Sequence, residues 1–194
     1  MPTGVALRDP REQLFDAAER VLLRDGPSAL TSRAVTTEAG CAKGVLHRHF
    51  ADFDAFLAEL VRDRIARLDG QAAALRAAVG TGTVADRLAG VLTELFGSVA
   101  VAIVGLVISR DELRARLRAS TPTGIPLLTE ATAMIADYLA AERAQGRIAA
   151  DADLDALAPT LVGTAHLHFA DRTAPPPEPA AVRRLVAALL GGAA

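Results

Sequence analysis

The sequence predicts an all-α protein, and three observations carry that prediction. The chain is 51% hydrophobic but only 4% aromatic, so its core is built mainly from Leu, Val and Ala, and Ala and Leu head the helix-propensity order. β-Branched and aromatic residues are scattered, without the two-residue alternation of a half-buried strand. Apolar residues instead recur at helical spacing, in stretches separated by Gly- and Pro-rich punctuation. At 194 residues, the chain has room for a small domain joined to a larger one.

The first helix carries its own start signal: Asp9 as N-cap, Pro10 at the first helical position and Glu12 three residues after the cap. Leu14, Phe15, Ala18, Val21 and Leu22 then share one face, before Asp25 to Ser28 ("DGPS") ends the run. Thr31 can cap a short second helix reaching about Ala39, with Gly40 in the left-handed position that stops it. Another short helix is predicted from Lys43 to His49, and Asp52 can cap a longer one whose stripe is Phe56, Leu57, Leu60, Val61, Ile65 and Leu68. Beyond Gly70, alanine-rich helices are predicted near Val84 to Phe96, Val99 to Arg118, Leu127 to Gln145, Leu154 to Asp171 and Ala180 to Leu190. The loops between them are "GTGT" (Gly80 to Thr83), "STPTGIP" (Ser120 to Pro126) and "APPPEP" (Ala174 to Pro179). A division into residues 1–68 and 69–194 follows.

The totals exclude several classes. A net charge of −2 does not announce a polyanion-binding chain, so any such site must be local. The single cysteine, Cys41, rules out an intramolecular disulfide and a multi-Cys zinc site within one chain. No secretory signal is visible at the N-terminus, and the longest apolar run, Val99 to Ile108, falls well short of the roughly 20 residues needed to span a bilayer. A cytoplasmic, reducing location is expected.

Two short helices joined by a Gly-containing turn, behind a longer packing helix, match the helix-turn-helix plan in which the second short helix enters the DNA major groove. So short a helix needs neighbours to hold it; Val45, Leu46 and Phe50 supply the anchor and leave Lys43, Gly44, His47 and Arg48 outward. Ser28 to Phe50 carries Arg33, Lys43 and Arg48 against Glu38, a small positive tip, whereas residues 1–68 balance ten bases against ten acids.

The stretch "LTSRAVTTEAGCAKGVLHRHFADFDAFLAELV", Leu30 to Val61, resembles the DNA-binding segment of TetR-type transcriptional regulators: a Thr-x-x-Arg-like entry, an alanine-glycine turn, a Lys-Gly-x-Leu recognition helix and a terminal aromatic. The resemblance extends over about residues 10 to 65; beyond them only the general plan agrees, including a Gly-Arg-Ile segment at Gly146 to Ile148. It implies a three-helix N-terminal DNA-binding domain followed by a helical ligand-binding and dimerisation domain. It also implies that Arg33, Lys43, Gly44, Val45 and His47 face bases or the groove wall, with Thr31, Ser32, Arg48 and His49 near phosphates. The chemistry agrees, since Arg and Lys donate to guanine, Val45 can meet a thymine methyl and Gly44 allows close approach. The pattern departs at His47 and His49, where tyrosine-like aromatics are frequent, and at Phe53, where a basic phosphate contact often stands.

The expected function is therefore a ligand-responsive transcriptional regulator, a repressor that binds a palindromic operator as a homodimer and is released by a small, partly hydrophobic effector. Phe96, Ile103, Val107, Met134, Tyr138 and Phe169, on the central helices, are the candidate effector contacts. The apolar stripes Leu157, Leu161, Ala165 and Val182, Leu185, Val186, Leu189 on the last two helices are the candidate dimer interface.

Rival readings carry less. His47 and His49 lie two apart, roughly 200° around a helix, and cannot readily share one metal ion. The same holds for His166 and His168, for which packing or an interface role is expected. Cys41 reads as a turn residue without a resolving partner, and Arg110, Arg114 and Arg118 as a solvated helix face. No nucleophile with its base, carboxylate pair or phosphate loop stands out, and no cofactor or metal is expected. The alternative from another class is a helical enzyme or ligand-sequestering protein that keeps the N-terminal module as a scaffold.

Overall fold

The computed structural model describes residues 9–171 and 174–191. Among these the regular structure is helical, in ten α-helices: α1 Pro10–Asp25, α2 Ser32–Glu38, α3 Gly44–His49, α4 Phe53–Ala77, α5 Val84–Phe96, α6 Ala100–Ser109, α7 Asp111–Leu117, α8 Leu128–Ala144, α9 Leu154–Phe169 and α10 Pro179–Gly191. A 3₁₀ turn, Pro27–Ala29, joins α1 to α2. No described helix is long and apolar enough by itself to cross a membrane.

The expected caps form. The Asp9 carboxylate accepts from the Arg11 and Glu12 amides at 2.9 and 3.2 Å, Thr31 Oγ1 from the Ala34 amide at 3.1 Å, and Asp52 Oδ1 from the Ala55 amide at 2.7 Å. Gly40, at φ +65°, ends α2 in the left-handed region. Two local expectations fail. Helix α4 continues through Gly70 to Ala77, because one glycine costs only about 1 kcal/mol relative to alanine and leaves the hydrogen-bond ladder intact. The run expected as one helix from Val99 to Arg118 breaks at Arg110, whose backbone is extended at φ −130°, ψ 105°.

The contacts fall into two units, residues 9–63 with 102–123, and residues 64–101 with 124–191. The second segment of the first unit thus comes from beyond residue 68.

In the first unit, α1 packs on α2 and α3. Phe15, Phe50 and Phe56 meet at centroid separations of 5.0 to 5.9 Å around buried Leu14, Leu22, Leu30, Val35 and Leu46. Such tilted and edge-on pairs strengthen a core beyond the area they bury. Helix α6 approaches the 3₁₀ turn closely: a Cβ on Gly105 would lie 3.4 Å from Pro27 Cγ. Arg110, 31% exposed on its side chain, donates to the Leu30 carbonyl at 3.2 Å, pairs with Asp54 at 3.5 Å and lies 5.6 Å from the Phe53 ring centroid. Arg116 pairs with Asp52 at 2.8 Å, and Arg62 donates to the Arg116 carbonyl at 3.1 Å. These contacts explain the break at Arg110: tertiary partners for its guanidinium outweigh helix continuity. Arg110 is thereby not part of the solvated helix face expected for it.

In the second unit, α9 packs on α8 and α5, and α10 on α5 and α9. Leu157, Leu161, Ala165, Val182 and Val186 are buried in this packing, while Leu185 and Leu189 are half-buried. The first five are therefore already covered within one chain, since the most apolar stripe of a helix goes to its own domain's core first. Glu142 is 0% exposed, and Arg147 Nε lies 2.8 Å from its carboxylate. The Gly80 amide donates toward the same carboxylate at 3.4 Å, so this buried charge ties the α4–α5 loop to α8.

Candidate nucleic-acid interface

Helix α3 has too few residues to stand alone, and the fold supplies its support from three directions. Val45 and Leu46 bury their side chains, and Phe50 follows in the aromatic cluster. From α1, Arg11 donates to the His49 carbonyl at 3.4 Å, lies 4.6 Å from the Phe50 centroid and pairs with Glu59 on α4. One guanidinium thus fastens the last turn of α3 to two longer helices. Sequence reasoning missed Arg11, since nothing in its spacing ties it to residues about forty positions later.

The outward side of α3 carries Lys43 just before the helix, then Gly44, His47 and Arg48, all exposed; Arg33 is exposed on α2. A Cβ added to Gly44 would meet nothing within 4 Å, so no packing inside the chain requires glycine there. Thr31 is exposed, its hydroxyl oxygen engaged by the Ala34 amide, and Ser32 is half-buried with its Oγ lacking a partner within the chain. His49 is half-buried. Val45 is 7% exposed and faces the core. Of its two expected roles, anchor and thymine contact, the fold takes the anchor, because the apolar side chain is already desolvated against its neighbours.

Electrostatics favour this face for an anion. The one acid of the segment, Glu38, accepts from Arg20 at 2.7 Å and Arg24 at 2.8 Å, contacts that hold its carboxyl below its ordinary range. It therefore does not oppose Arg33, Lys43 and Arg48, for which no ion pair is seen among the described residues. Burial pushes the Cys41 thiol up, away from thiolate reactivity. No group of three metal-ligating side chains occurs among the described residues.

Among the expected effector contacts, Ile103 and Val107 belong to the first unit and Phe96, Met134, Tyr138 and Phe169 to the second. Phe96 and Phe169 pair at 6.3 Å, with His166 edge-on to Phe96 at 5.6 Å. Tyr138 is fully buried; burial first, then the Glu142 carboxylate, raise its hydroxyl above the ordinary tyrosine range. Phe96, Ile103, Val107, Met134 and Tyr138 are buried, as core residues and the wall of a binding site both are.

Comparison with known proteins agrees with this geometry. Residues 14–60 match the family described as bacterial regulatory proteins, tetR family. No curated protein matches the chain. Three solved structures share its fold over nearly the whole length. The reduced form of NemR from E. coli has a TM-score of 0.73 at 15% identity, with 95% of this chain and 96% of that one covered. The fatty acid degradation regulator FadR from Bacillus halodurans has 0.71 at 17%, covering 97% and 98%. A TetR transcription regulator from Haloarcula marismortui has 0.70 at 16%, covering 96% and 99%.

Proposed function

We propose that this chain, which belongs to the tetR family of bacterial regulatory proteins, is a ligand-responsive repressor acting in the cytoplasm, which binds a palindromic operator as a homodimer and leaves it when a small, partly hydrophobic molecule binds. The observation that carries this reading is the outer side of α3. Lys43, His47 and Arg48 are exposed around a glycine that no internal contact demands, and Glu38, the one acid between Ser28 and Phe50, is paired with two arginines. That is a small cationic edge able to reach into a groove, with backbone close enough to touch its floor. DNA contact is assigned to residues 1–68, and within them to Arg33, Lys43, Gly44 and His47 at the bases and Thr31, Ser32, Arg48 and His49 at phosphates. Sensing and dimerisation are assigned to residues 69–194.

Two features support the coupling and the assembly. Residues 110–116 hold the N-terminal helices at Leu30, Asp52 and Asp54, yet the chain on both sides of 102–123 belongs to the second unit, so a change there reaches the DNA-binding helices through covalent continuity. On α9, Ala156, Thr160, Gly163 and Leu167 follow one another at helical spacing and all are exposed, Leu167 by 74%. An outward stripe of small residues ending in a large apolar one suits close antiparallel packing against a second copy, with the half-exposed Leu185 and Leu189 beside it.

The test is selection of bound duplexes from a randomised DNA pool at about 0.1 M salt, a level that keeps non-specific phosphate binding from swamping specific binding. Enrichment of an inverted repeat, lost in Lys43→Ala and Arg33→Ala proteins that remain folded, supports the regulator. A folded protein that enriches nothing overturns it in favour of a sequestering or enzymatic role.

A further inference from the structure

Lys43 stands at the N-cap of α3 with φ −50° and ψ −35°, so helical geometry already holds at its position. At 3.6 residues per turn, Lys43, His47, Gly44 and Arg48 then follow one another around an arc of roughly 140°, with His47 and Gly44 in its middle. All four are exposed, whereas Val45 and Leu46 point to the other side and are buried. A Cβ at Gly44 would meet nothing within 4 Å, so no other part of the chain covers the middle of the arc.

The side chains on this arc donate hydrogen bonds and scarcely accept them. Lys43 to Arg48 contains no carboxylate, carboxamide or hydroxyl. Lysine brings three N–H donors and arginine five, with no acceptor on either, and the second nitrogen of a neutral His47 is the one acceptor present. The two ring nitrogens of an imidazole point apart, so they cannot engage one base together. Base edges in the major groove answer such a face unequally. Guanine sets two acceptors, N7 and O6, side by side, whereas adenine sets its N6 amino donor beside N7. That donor finds no carboxamide on the arc to receive it, and a desolvated donor left unpaired is costly. Val45, turned into the core, also withdraws the apolar contact that would recognise a thymine methyl.

We propose that each operator half-site presents two guanines to α3, on either strand and one or two base pairs apart, one read by Lys43 and the other by His47; the inference rests on the operator-binding reading above. The spacing follows from the helix. Four residues advance roughly 6 Å along its axis, against about 3.4 Å per base pair of duplex. Lys43 reaches its guanine as a point charge on a flexible stem, and His47 reaches the other through one ring N–H. Arg48, at the edge of the arc, faces the groove wall and its phosphates.

The experiment is selection from a randomised duplex pool by the full chain and by two variants, Lys43→Gln and His47→Gln. The parent should enrich half-sites with guanines one or two base pairs apart. In each variant one of them should give way to adenine, by about tenfold in relative affinity, since a glutamine carboxamide pairs with adenine N6 and N7. The two variants should change different positions. A second measurement needs no variant, because Lys43 is the only lysine in the sequence. Its acetylation by acetic anhydride, located by peptide mass, should slow several-fold when the selected duplex is bound. Substituting 7-deazaguanine, which lacks N7, for the guanine assigned to Lys43 should weaken that protection. Half-sites without the guanine pair, guanines retained in both variants, or protection indifferent to 7-deazaguanine would overturn the inference and leave the regulator standing. Enrichment of no duplex at all would overturn the operator-binding reading, and this inference with it.

Discussion

Replacing Arg110 by Ala tests whether the segment at residues 102–123 is energetically part of the N-terminal unit. Three contacts disappear. The guanidinium donates to the Leu30 carbonyl at 3.2 Å, and Leu30 is fully buried; a hydrogen bond from a charged donor contributes about 1.5–3 kcal/mol. Its position over the Phe53 ring, 5.6 Å from the centroid, contributes about 0.5–1 kcal/mol at a partly exposed site. The pairing with Asp54 at 3.5 Å, both side chains about a third exposed at 31% and 33%, contributes no more than about 1 kcal/mol. The sum predicts a loss of about 2–5 kcal/mol, the hydrogen bond deciding its size. Urea unfolding reads this as a lower midpoint at unchanged slope. Leu30 directly precedes Thr31, the cap of α2, so operator affinity should also fall, by about three- to tenfold. Arg114→Ala is the control: its partner Asp111 lies on its own short helix, and the expected change stays within about 0.5 kcal/mol. If Arg110→Ala shifted the midpoint no more than Arg114→Ala, these contacts would be surface associations, and the coupling route through Arg110 would have to be abandoned.

Gly44→Ala should leave thermal stability unchanged or raise it, since α3 gains up to about 1 kcal/mol of helix propensity and the new Cβ meets nothing, while operator binding weakens at least fivefold, about 1 kcal/mol; unaltered affinity in a gel-shift titration would refute close approach of the backbone to DNA. Leu161→Glu should unfold the protein, a loss beyond about 4 kcal/mol for a charge placed in the core, whereas Leu167→Glu should yield folded monomers. Sedimentation velocity with circular dichroism separates the two, and a dimeric Leu167→Glu protein would move the interface elsewhere. Burial lowers the His166 pKa below 6.5, so the fold favours neutral imidazole: its stabilising effect is complete above the unfolded value and is lost as pH falls through the folded one. The midpoint temperature should accordingly fall less between pH 7 and pH 5 in His166→Gln than in the parent protein, values chosen to bracket the ordinary histidine pKa of about 6.5; identical falls would exclude His166 as the source.

Much of the fold was legible because it is decided by neighbours in sequence. Asp9, Thr31 and Asp52 announce helix starts through bonds to amides two or three residues away, and α5 runs over the expected Val84 to Phe96. The order of short helix, glycine turn and short helix likewise predicts a DNA-binding arrangement, and Lys43, His47 and Arg48 are exposed as the spacing implies. Periodicity finds an apolar face but does not say what covers it. Leu157, Leu161, Ala165, Val182 and Val186, expected as an interface stripe, are already buried by helices of their own chain. The exposed stripe of α9 is instead lined by Ala156, Thr160 and Gly163 and ends in Leu167.

By itself, then, the amino-acid order determined the helical class, the caps, the helix-turn-helix and the identity of its outward cations, all consequences of hydrogen bonds and periodicity within a few residues. Tertiary structure alone decided that Arg110 breaks a helix to hold Leu30 and Asp54, that Arg11 fastens the end of α3, and that Val45 turns inward. Each of these joins residues distant in sequence, and a long side chain such as arginine selects its partner from whatever the packed helices bring within reach. Local propensity has no term for that choice; the energy of the long-range contact makes it.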